Sequence, residues 1–248
     1  MKTKVMAHRG ASAYAPENSL ESFSKAIEMG ADGIELDIYE TADGRLVIHH
    51  DNNIKRMTGI DAKISETDFD VLRTYNFAGE YGNKYEFVKI PEFVEILDLF
   101  KKTDMTINIE MKDGSIDYIR AIDALVREYK MEEQVIYSSF DHFKLQRIME
   151  INPQNKTGAL YSFNMMYPWV YAKMAGFTAL HPSYDQIYKF ESEYGIDYVK
   201  EAHAHGILVN AWTANKPGIM KHLAEVGVDN IITDYPDVAM EKIKEAQG

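Results

Sequence analysis

Glu35 and Asp37 lie two residues apart in the apolar run Gly33-Ile-Glu-Leu-Asp-Ile-Tyr39. On an extended strand alternate side chains share a face, so both carboxylates point the same way. Two acids buried side by side are costly unless a cation neutralises them. A second run, Ile107-Asn-Ile-Glu-Met-Lys112, puts Asn108, Glu110 and Lys112 on one face by the same rule. Three carboxylates without an obvious His-x-His pair favour one hard divalent ion, Mg2+ or Ca2+, over Zn2+. The competing reading pairs these acids with Lys or Arg inside the fold. One acid would leave the two readings even; three at strand ends favour the metal. A metal, a lysine and the nearby His8-Arg9-Gly10 are the parts needed to cut a phosphate ester.

His8 and His50 are the candidates for general acid and base, because imidazole exchanges a proton near neutral pH. Alone, His8 would read as a satisfied core histidine; beside Arg9 and Gly10 at a strand end, function is favoured. His49 and His50 adjoin, so on a strand only one points inward, and spacing does not say which. Arg9, a planar fork, and Lys112, a point charge, are the natural phosphate partners. Lys112 also has the reach to bridge Glu110 or Glu35. Trp212 at a strand end is placed to wall a pocket. His142, His203, His205 and His222 read as solvated.

The elements that must position these groups alternate along the chain. Strands are expected at Lys4–Ala7, Gly33–Tyr39, Thr106–Met111, Val135–Ser139, Thr157–Tyr161, Thr178–His181, Ile207–Trp212 and Asn230–Thr233. Helical periodicity follows each. In Ser19–Met29 the residues Leu20, Phe23, Ala26 and Ile27 form one apolar face, Asn18 with Glu21 resembles a capping box, and Gly30 supplies a stop. Pro91 opens a second helix carrying Phe93, Ile96, Leu97 and Phe100, and Ile116 to Val126 marks a third. Later helices centre on Leu145–Met149, Trp169–Ala175, Tyr198–His203, Met220–Val226 and Val238–Ile243. Eight strands each followed by a helix is the count of an α/β fold of the (β/α)8 TIM barrel type, and the length fits one such domain over 1–248. Asp43-Gly44 signals a turn before Leu46–His50, so Tyr39–Asp51 reads as a hairpin extension, and the stretch at about 52–89 reads as a small insertion after strand two. Barrel active sites lie at the C-terminal ends of the strands, where His8, Glu35, Asp37, Glu110, Lys112, His181, Trp212 and Asp234 all fall.

Composition narrows the classes. A net charge of −12 disfavours a nucleic-acid binder and gives an anionic substrate no long-range attraction. With no cysteines, disulfides and thiolate metal sites are excluded. The N-terminal residues reach the polar motif at His8 before an apolar secretory segment forms, and no stretch approaches a membrane span. A cytoplasmic protein without stable membrane insertion is the expectation. Nothing in the pattern speaks to oligomeric state.

Taken in order, Ala7-His-Arg-Gly-Ala11, Pro16-Glu-Asn-Ser19, Gly33-Ile-Glu-Leu-Asp37, Val47-Ile-His-His-Asp51, Asn108-Ile-Glu-Met-Lys112, Ser139-Phe140, His181-Pro182, Trp212-Thr213 and Thr233-Asp234-Tyr-Pro236 resemble the glycerophosphodiester phosphodiesterase family over essentially the whole chain. The resemblance implies a TIM barrel with an insertion after strand two. It implies divalent-metal-dependent hydrolysis of small-molecule glycerophosphodiesters to sn-glycerol 3-phosphate and an alcohol. Carried over, His8 and His50 are the acid–base pair, which selects His50 over His49. Glu35, Asp37 and Glu110 become metal ligands. Arg9, Lys112, His181 and Trp212 become substrate-binding residues, with Trp212 on the glycerol side. The segment Asp51-Asn-Asn-Ile-Lys-Arg56 departs from the family's usual Asp-x-Thr-Leu-x-Arg, and Asp61–Lys89 matches weakly, which bears on the leaving alcohol. Related phospholipase-type barrels, which also pair two histidines, and a non-catalytic binding barrel are the competing readings. The first is disfavoured by the lack of a basic membrane-facing segment, and the second by competent residues at every expected position.

Overall fold

The computed structural model describes residues 2–248. Eight parallel strands close into a ring: β1 (Lys4–His8), β2 (Gly33–Glu40), β4 (Thr106–Met111), β5 (Val135–Ser139), β6 (Thr157–Tyr161), β7 (Ala179–Pro182), β8 (Leu208–Ala211) and β9 (Asn230–Thr233). Closure comes from β1 pairing with both β9 and β2. A ninth strand, β3 (Leu46–Ile48), runs antiparallel on β2. The helices are α1 (Leu20–Met29), α2 (Lys55–Thr58), α3 (Phe69–Leu72), α4 (Phe93–Phe100), α5 (Ile116–Glu128), α6 (His142–Ile151), α7 (Pro168–Ala175), α8 (Tyr184–Tyr194), α9 (Tyr198–Ala204), α10 (Pro217–Glu225) and α11 (Pro236–Gln247). This is a (β/α)8 TIM barrel. No helix among the described residues is long and apolar enough to cross a membrane.

Apolar patterning explains the layers. Ile34, Leu36 and Ile38 alternate with Glu35 and Asp37 along β2, and all three pack into the core between strands and helices with Phe23, Phe93, Ile96 and Phe100. A strand buried on both faces with acids on its inner one requires something inside the ring to meet them. The segment after β3 has a core of its own, where Tyr39, Val47, Ile54, Ile64, Leu72, Phe77, Val88 and Ile90 cluster. It is built of short helical turns and is tied down by apolar side chains.

Two local expectations shift. The cap of α1 is Ser19, whose hydroxyl accepts from Ser22 N, and the reciprocal capping box is Ser19/Ser22, not Asn18/Glu21. Asn18 is displaced because its amide is used elsewhere, on Asp37. The connection from β7 to β8 holds two helices where one was expected. Only Gln186, Ile187 and Phe190 of α8 are buried, so its apolar stripe is thin, and Gly195 in a left-handed conformation (φ 65°) ends it.

Candidate active site

Strand β1 stops at His8, opposite Glu35 on β2. The chain then turns sharply through Arg9 (φ 55°) and Gly10 (φ 81°). A Cβ on Gly10 would overlap the backbone and side chain of Ser22, so glycine is required there both for φ and for space. The turn aims the Arg9 backbone N–H at Glu35 Oε2 (3.0 Å) and its guanidinium at Glu17 Oε1 (2.9 Å), with Nε 3.5 Å from Asp37 Oδ2. Asn18, also left-handed (φ 52°), donates from Nδ2 to Asp37 Oδ2 at 2.8 Å. Two non-glycine residues in that sparsely populated region, each serving the same acid cluster, are a strain that the surrounding contacts must hold.

Parallel register sets the acids abreast: Glu35 faces Asn108, and Asp37 faces Glu110. One carboxylate oxygen from each of Glu35, Asp37 and Glu110 lies within 4.8 Å of the others, and all three groups are shielded from solvent. Lys112 reaches back over this layer, 2.5 Å from Glu110 Oε1 and 2.9 Å from Asp37 Oδ1. The lysine therefore bridges Glu110 and Asp37, not Glu35. Burial raises the Asp37 carboxyl, but Lys112 and Arg9 outweigh it and hold the group well below the usual range. Burial, with Asp37 and Glu110 alongside, pushes Glu35 well above its ordinary value. Burial and Asp37 together push Glu110 up to about 7, despite Lys112. The two resident cations thus satisfy Asp37 and leave a carboxylate excess. Oxygen donors this close, in a set whose acids outnumber the two cations, fit a hard divalent ion with bonds of roughly 2.0–2.6 Å. Lys112 pairs with two of these acids, and the trio is at the same time a set of ligands that could hold a metal ion.

His8 Nδ1 donates to Asp234 Oδ1 at 2.6 Å, leaving Nε2 turned inward, 3.9 Å from Glu35 Oε2. Asp234 also accepts from Ser12 Oγ (3.1 Å) and Asn215 Nδ2 (2.5 Å). Burial raises its carboxyl, but these three partners more than offset that and hold it below the ordinary range.

The second imidazole arrives by way of β3. Because β1 ends at His8, the edge of β2 beyond Glu35 is free, and β3 takes it, pairing Ile38 with Ile48 and Tyr39 with Val47. His49 N continues the ladder to Asp37 O (3.0 Å). Alternation then sends His49 into the insertion's core, 2% exposed and edge-on to Phe77, and His50 to the mouth. His50 Nδ1 donates to Asp51 Oδ1 at 2.7 Å. Burial lowers the His50 pKa, with Arg9 and Lys112 adding to it against the pull of Asp37.

A cleft at the mouth is lined on one side by His8, Arg9, Glu35, His50, Glu110 and Lys112, and on the other by Phe140, Leu160, Trp212, Thr213 and Ile232. Charge comes from β1, β2, β4 and the segment just after β3, apolar surface from β5 to β9. Asn108 and Ser138 form part of the lining, and Asn108 Oδ1 and Ser138 Oγ have no partner within the protein. Trp212 packs edge-on to Phe140 and its Nε1 donates to His181 O (2.7 Å). His181 does not line this cleft. It is fully buried above Gly158, accepts from Asn210 Nδ2 at 2.7 Å, and burial pushes its pKa down to about 3.

Eight of the nine residues singled out from sequence meet at or just beneath this mouth, and His181 lies below it. Four residues were given no role in the site from sequence, although Asp234 was placed at its strand end and Asn18 at a helix start: Asp234 behind His8, Asp51 behind His50, and Glu17 and Asn18 around Arg9 and Asp37. All sat inside recognised motifs, but a backing role is a contact between distant segments. Of the four histidines expected in solvent, His203 is exposed and the other three are half-buried. His142 Nδ1 meets Tyr171 Oη (2.8 Å) and its Nε2 meets Leu160 O, while His205 and His222 are half-buried and hydrogen-bonded.

The sequence profile of the Glycerophosphoryl diester phosphodiesterase family matches residues 8–238. A glycerophosphodiester phosphodiesterase of Caldanaerobacter subterraneus subsp. tengcongensis is 34% identical over 247 residues, covering 98% of this chain and 99% of that one. Among solved structures, an Oleispira antarctica phosphodiesterase in complex with the product sn-glycerol-3-phosphate superposes with a TM-score of 0.88 at 26% identity, covering 97% and 96% of the two chains. A Thermotoga maritima glycerophosphodiester phosphodiesterase superposes at 0.75 with 31% identity, covering 97% and 98%.

Proposed function

The chain belongs to the glycerophosphoryl diester phosphodiesterase family, and from this we propose metal-dependent hydrolysis of small glycerophosphodiesters to sn-glycerol 3-phosphate and an alcohol, with His8 and His50 as the acid–base pair. The observation that carries the reading is one cleft with a buried carboxylate trio and two imidazoles, each backed at Nδ1 by its own aspartate. The solved relative with bound sn-glycerol-3-phosphate supports the product assignment.

In this reading Glu35, Asp37 and Glu110 hold one Mg2+ or Ca2+. The bound ion supplies Lewis-acid stabilisation of charge on a non-bridging phosphate oxygen. Arg9 and Lys112 add fixed positive charge at the same place, pre-oriented by Glu17 and by the acids themselves. Asp234 and Asp51 each fix a proton on Nδ1 of their histidine, so each Nε2 is the working atom. One Nε2 takes the proton of the nucleophile and the other, protonated, gives one to the leaving oxygen. The nucleophile is water, or the substrate's own 2-hydroxyl by way of a cyclic phosphate. The flat face by Trp212 and Phe140 suits the carbon skeleton of glycerol. His181 then acts through Trp212, whose indole it accepts at its carbonyl, and not by touching substrate.

The test is a panel of glycerophosphodiesters with Mg2+ or Ca2+ supplied, read as released glycerol 3-phosphate. Release that stops in excess chelator and returns with the ion is the expected outcome. Full turnover in chelator, or release of phosphate monoesters only from intact diacyl lipid, would overturn the reading.

A further inference from the structure

Arg56, on α2, is an exposed residue of a four-residue helix. Its Nη1 and Nη2 donate to Glu17 at 2.8 and 2.7 Å, and its Nε donates to Asp51 Oδ2 at 2.7 Å. Glu17 also accepts from Arg9 Nη1 (2.9 Å), and Asp51 also accepts from His50 Nδ1 (2.7 Å). Arg9–Glu17–Arg56–Asp51–His50 is therefore one continuous chain of charge-assisted hydrogen bonds. It starts at the turn after β1 and ends at the mouth-facing residue after β3.

We propose that Arg56 is a positioning residue for the reaction: its guanidinium clamps Glu17 and Asp51 together, so that the Arg9 phosphate fork and the His50 imidazole are held as one unit. The inference rests on the assignment of His50 and Arg9 in the proposed function. The physical case is geometric. Exposed ion pairs add little to stability, so the fold gains little from keeping this one. A planar fork bonding two carboxylates at once does, however, remove the freedom of both. His50 sits on a loop-like segment after a three-residue strand, where an imidazole has little else to fix it. The groups facing it are Asp37 from β2, Arg9 after β1, Lys112 after β4 and Asp51 beside it. Among the described residues only Asp51 bonds it, and Arg56 is what bonds Asp51 from the far side. Lysine cannot replace the clamp, because one point charge cannot span both carboxylates in plane.

The variants are Arg56→Met, Arg56→Lys, Glu17→Gln and the Arg56→Met/Glu17→Gln double, with Arg120→Met as the control. Among the described residues Arg120 pairs only with Asp117 on the surface of α5, and its loss is expected to leave activity unchanged. Two readouts are used: kcat and KM for a glycerophosphodiester, and the His50 tautomer in 15N-histidine-labelled protein by NMR without substrate. Arg56→Met is expected to lower kcat by ~10–100-fold, the range for a misplaced reacting group, with KM moving much less. Its His50 signal moves from the Nδ1–H form to a tautomer mixture. Arg56→Lys falls between, and the double variant is no worse than Arg56→Met. Unchanged kcat and an unchanged His50 tautomer in folded Arg56→Met overturn the proposal. So does a double variant whose losses multiply. If Arg56→Met does not fold, Arg56→Lys and Glu17→Gln decide by the same readouts. Because the NMR arm needs no turnover, an inactive wild type with a shifted tautomer in the variants counts against the catalytic reading, while active enzyme with no shift counts against the clamp.

Discussion

Replacing Asp234 by Asn keeps the shape behind His8 and removes the charge. In the native site the carboxylate accepts from His8 Nδ1, Ser12 Oγ and Asn215 Nδ2. An Asn amide has one acceptor and one donor end, and three donors compete for that acceptor. Where its NH2 faces His8, the imidazole must put its proton on Nε2, the atom that the proposed mechanism uses as acceptor in the cleft. The lost bond is charge-assisted and worth ~1.5–3 kcal/mol. At about 1.4 kcal/mol per tenfold, kcat falls by roughly 10- to 150-fold. Complete loss of the histidine's acid–base role sets the ceiling at ~10²–10⁴-fold. KM moves little, since Asp234 does not line the cleft. The assay is release of glycerol 3-phosphate from a soluble glycerophosphodiester at saturating metal, with thermal unfolding as the check on folding. An Asp234→Asn enzyme that folds and turns over within threefold of the native rate would remove Asp234 from the orientation of His8, and with it the assignment of Nε2 as the working atom.

Other consequences follow from the same structure. His50→Ala should cost ~10²–10⁴-fold in kcat while leaving affinity for the divalent ion unchanged, measured by calorimetric titration; the proposed metal ligands do not include it. Glu35→Gln should weaken metal binding in that titration, and an unaltered metal isotherm would take Glu35 out of the trio. Acid stability carries two buried histidines. His49 is pushed down to about 4 and His181 to about 3 by burial, so the unfolded chain binds protons first as pH falls below the ordinary value of about 6.5. The stability from keeping both neutral is full above that value and drains away towards pH 4. At about 1.4 kcal/mol per unit, His49 alone contributes up to ~3 kcal/mol. Urea midpoints across pH 4–7 should fall steeply for the native chain and less steeply for His181→Gln; equal slopes would refute this. Gly10→Ala should destabilise by ~2–4 kcal/mol, because a left-handed φ and overlap with Ser22 both penalise a Cβ. An unchanged denaturation midpoint would contradict it.

The division of the cleft has a physical origin in chain order. Charged groups come from the first half of the barrel and the segment just after β3, where β2 and β4 place acids on inner positions and Arg9 and Lys112 follow strand ends. The apolar half comes from the later strands, whose ends carry Phe140, Leu160 and Trp212. A phosphodiester with a small carbon skeleton matches such a two-faced slot better than a uniformly charged ligand would.

Alternation and register rules were enough to read the barrel from sequence. Four of the eight barrel strands begin and end where the pattern places them and the other four shift by one residue at one or both ends, since a buried parallel strand is a run of apolar residues that little else imitates. The trio of Glu35, Asp37 and Glu110 was legible for the same reason, because period two fixes the face of each side chain. What alternation could not decide was which of His49 and His50 turns inward, since either phase suits a strand. That needed β3 to settle on the edge of β2 that β1 vacates after His8. Nor could it find Asp234, Glu17 or Arg56 as partners of His8, Arg9 and Asp51. These contacts join segments up to 226 residues apart, and no local periodicity encodes them. Only closure of the ring brings the end of β9 beside the end of β1. Only the packing of the insertion on Tyr39 and Val47 brings Arg56 over Glu17. Residue types and faces belong to the chain itself, whereas the orientation of each working atom belongs to the tertiary fold.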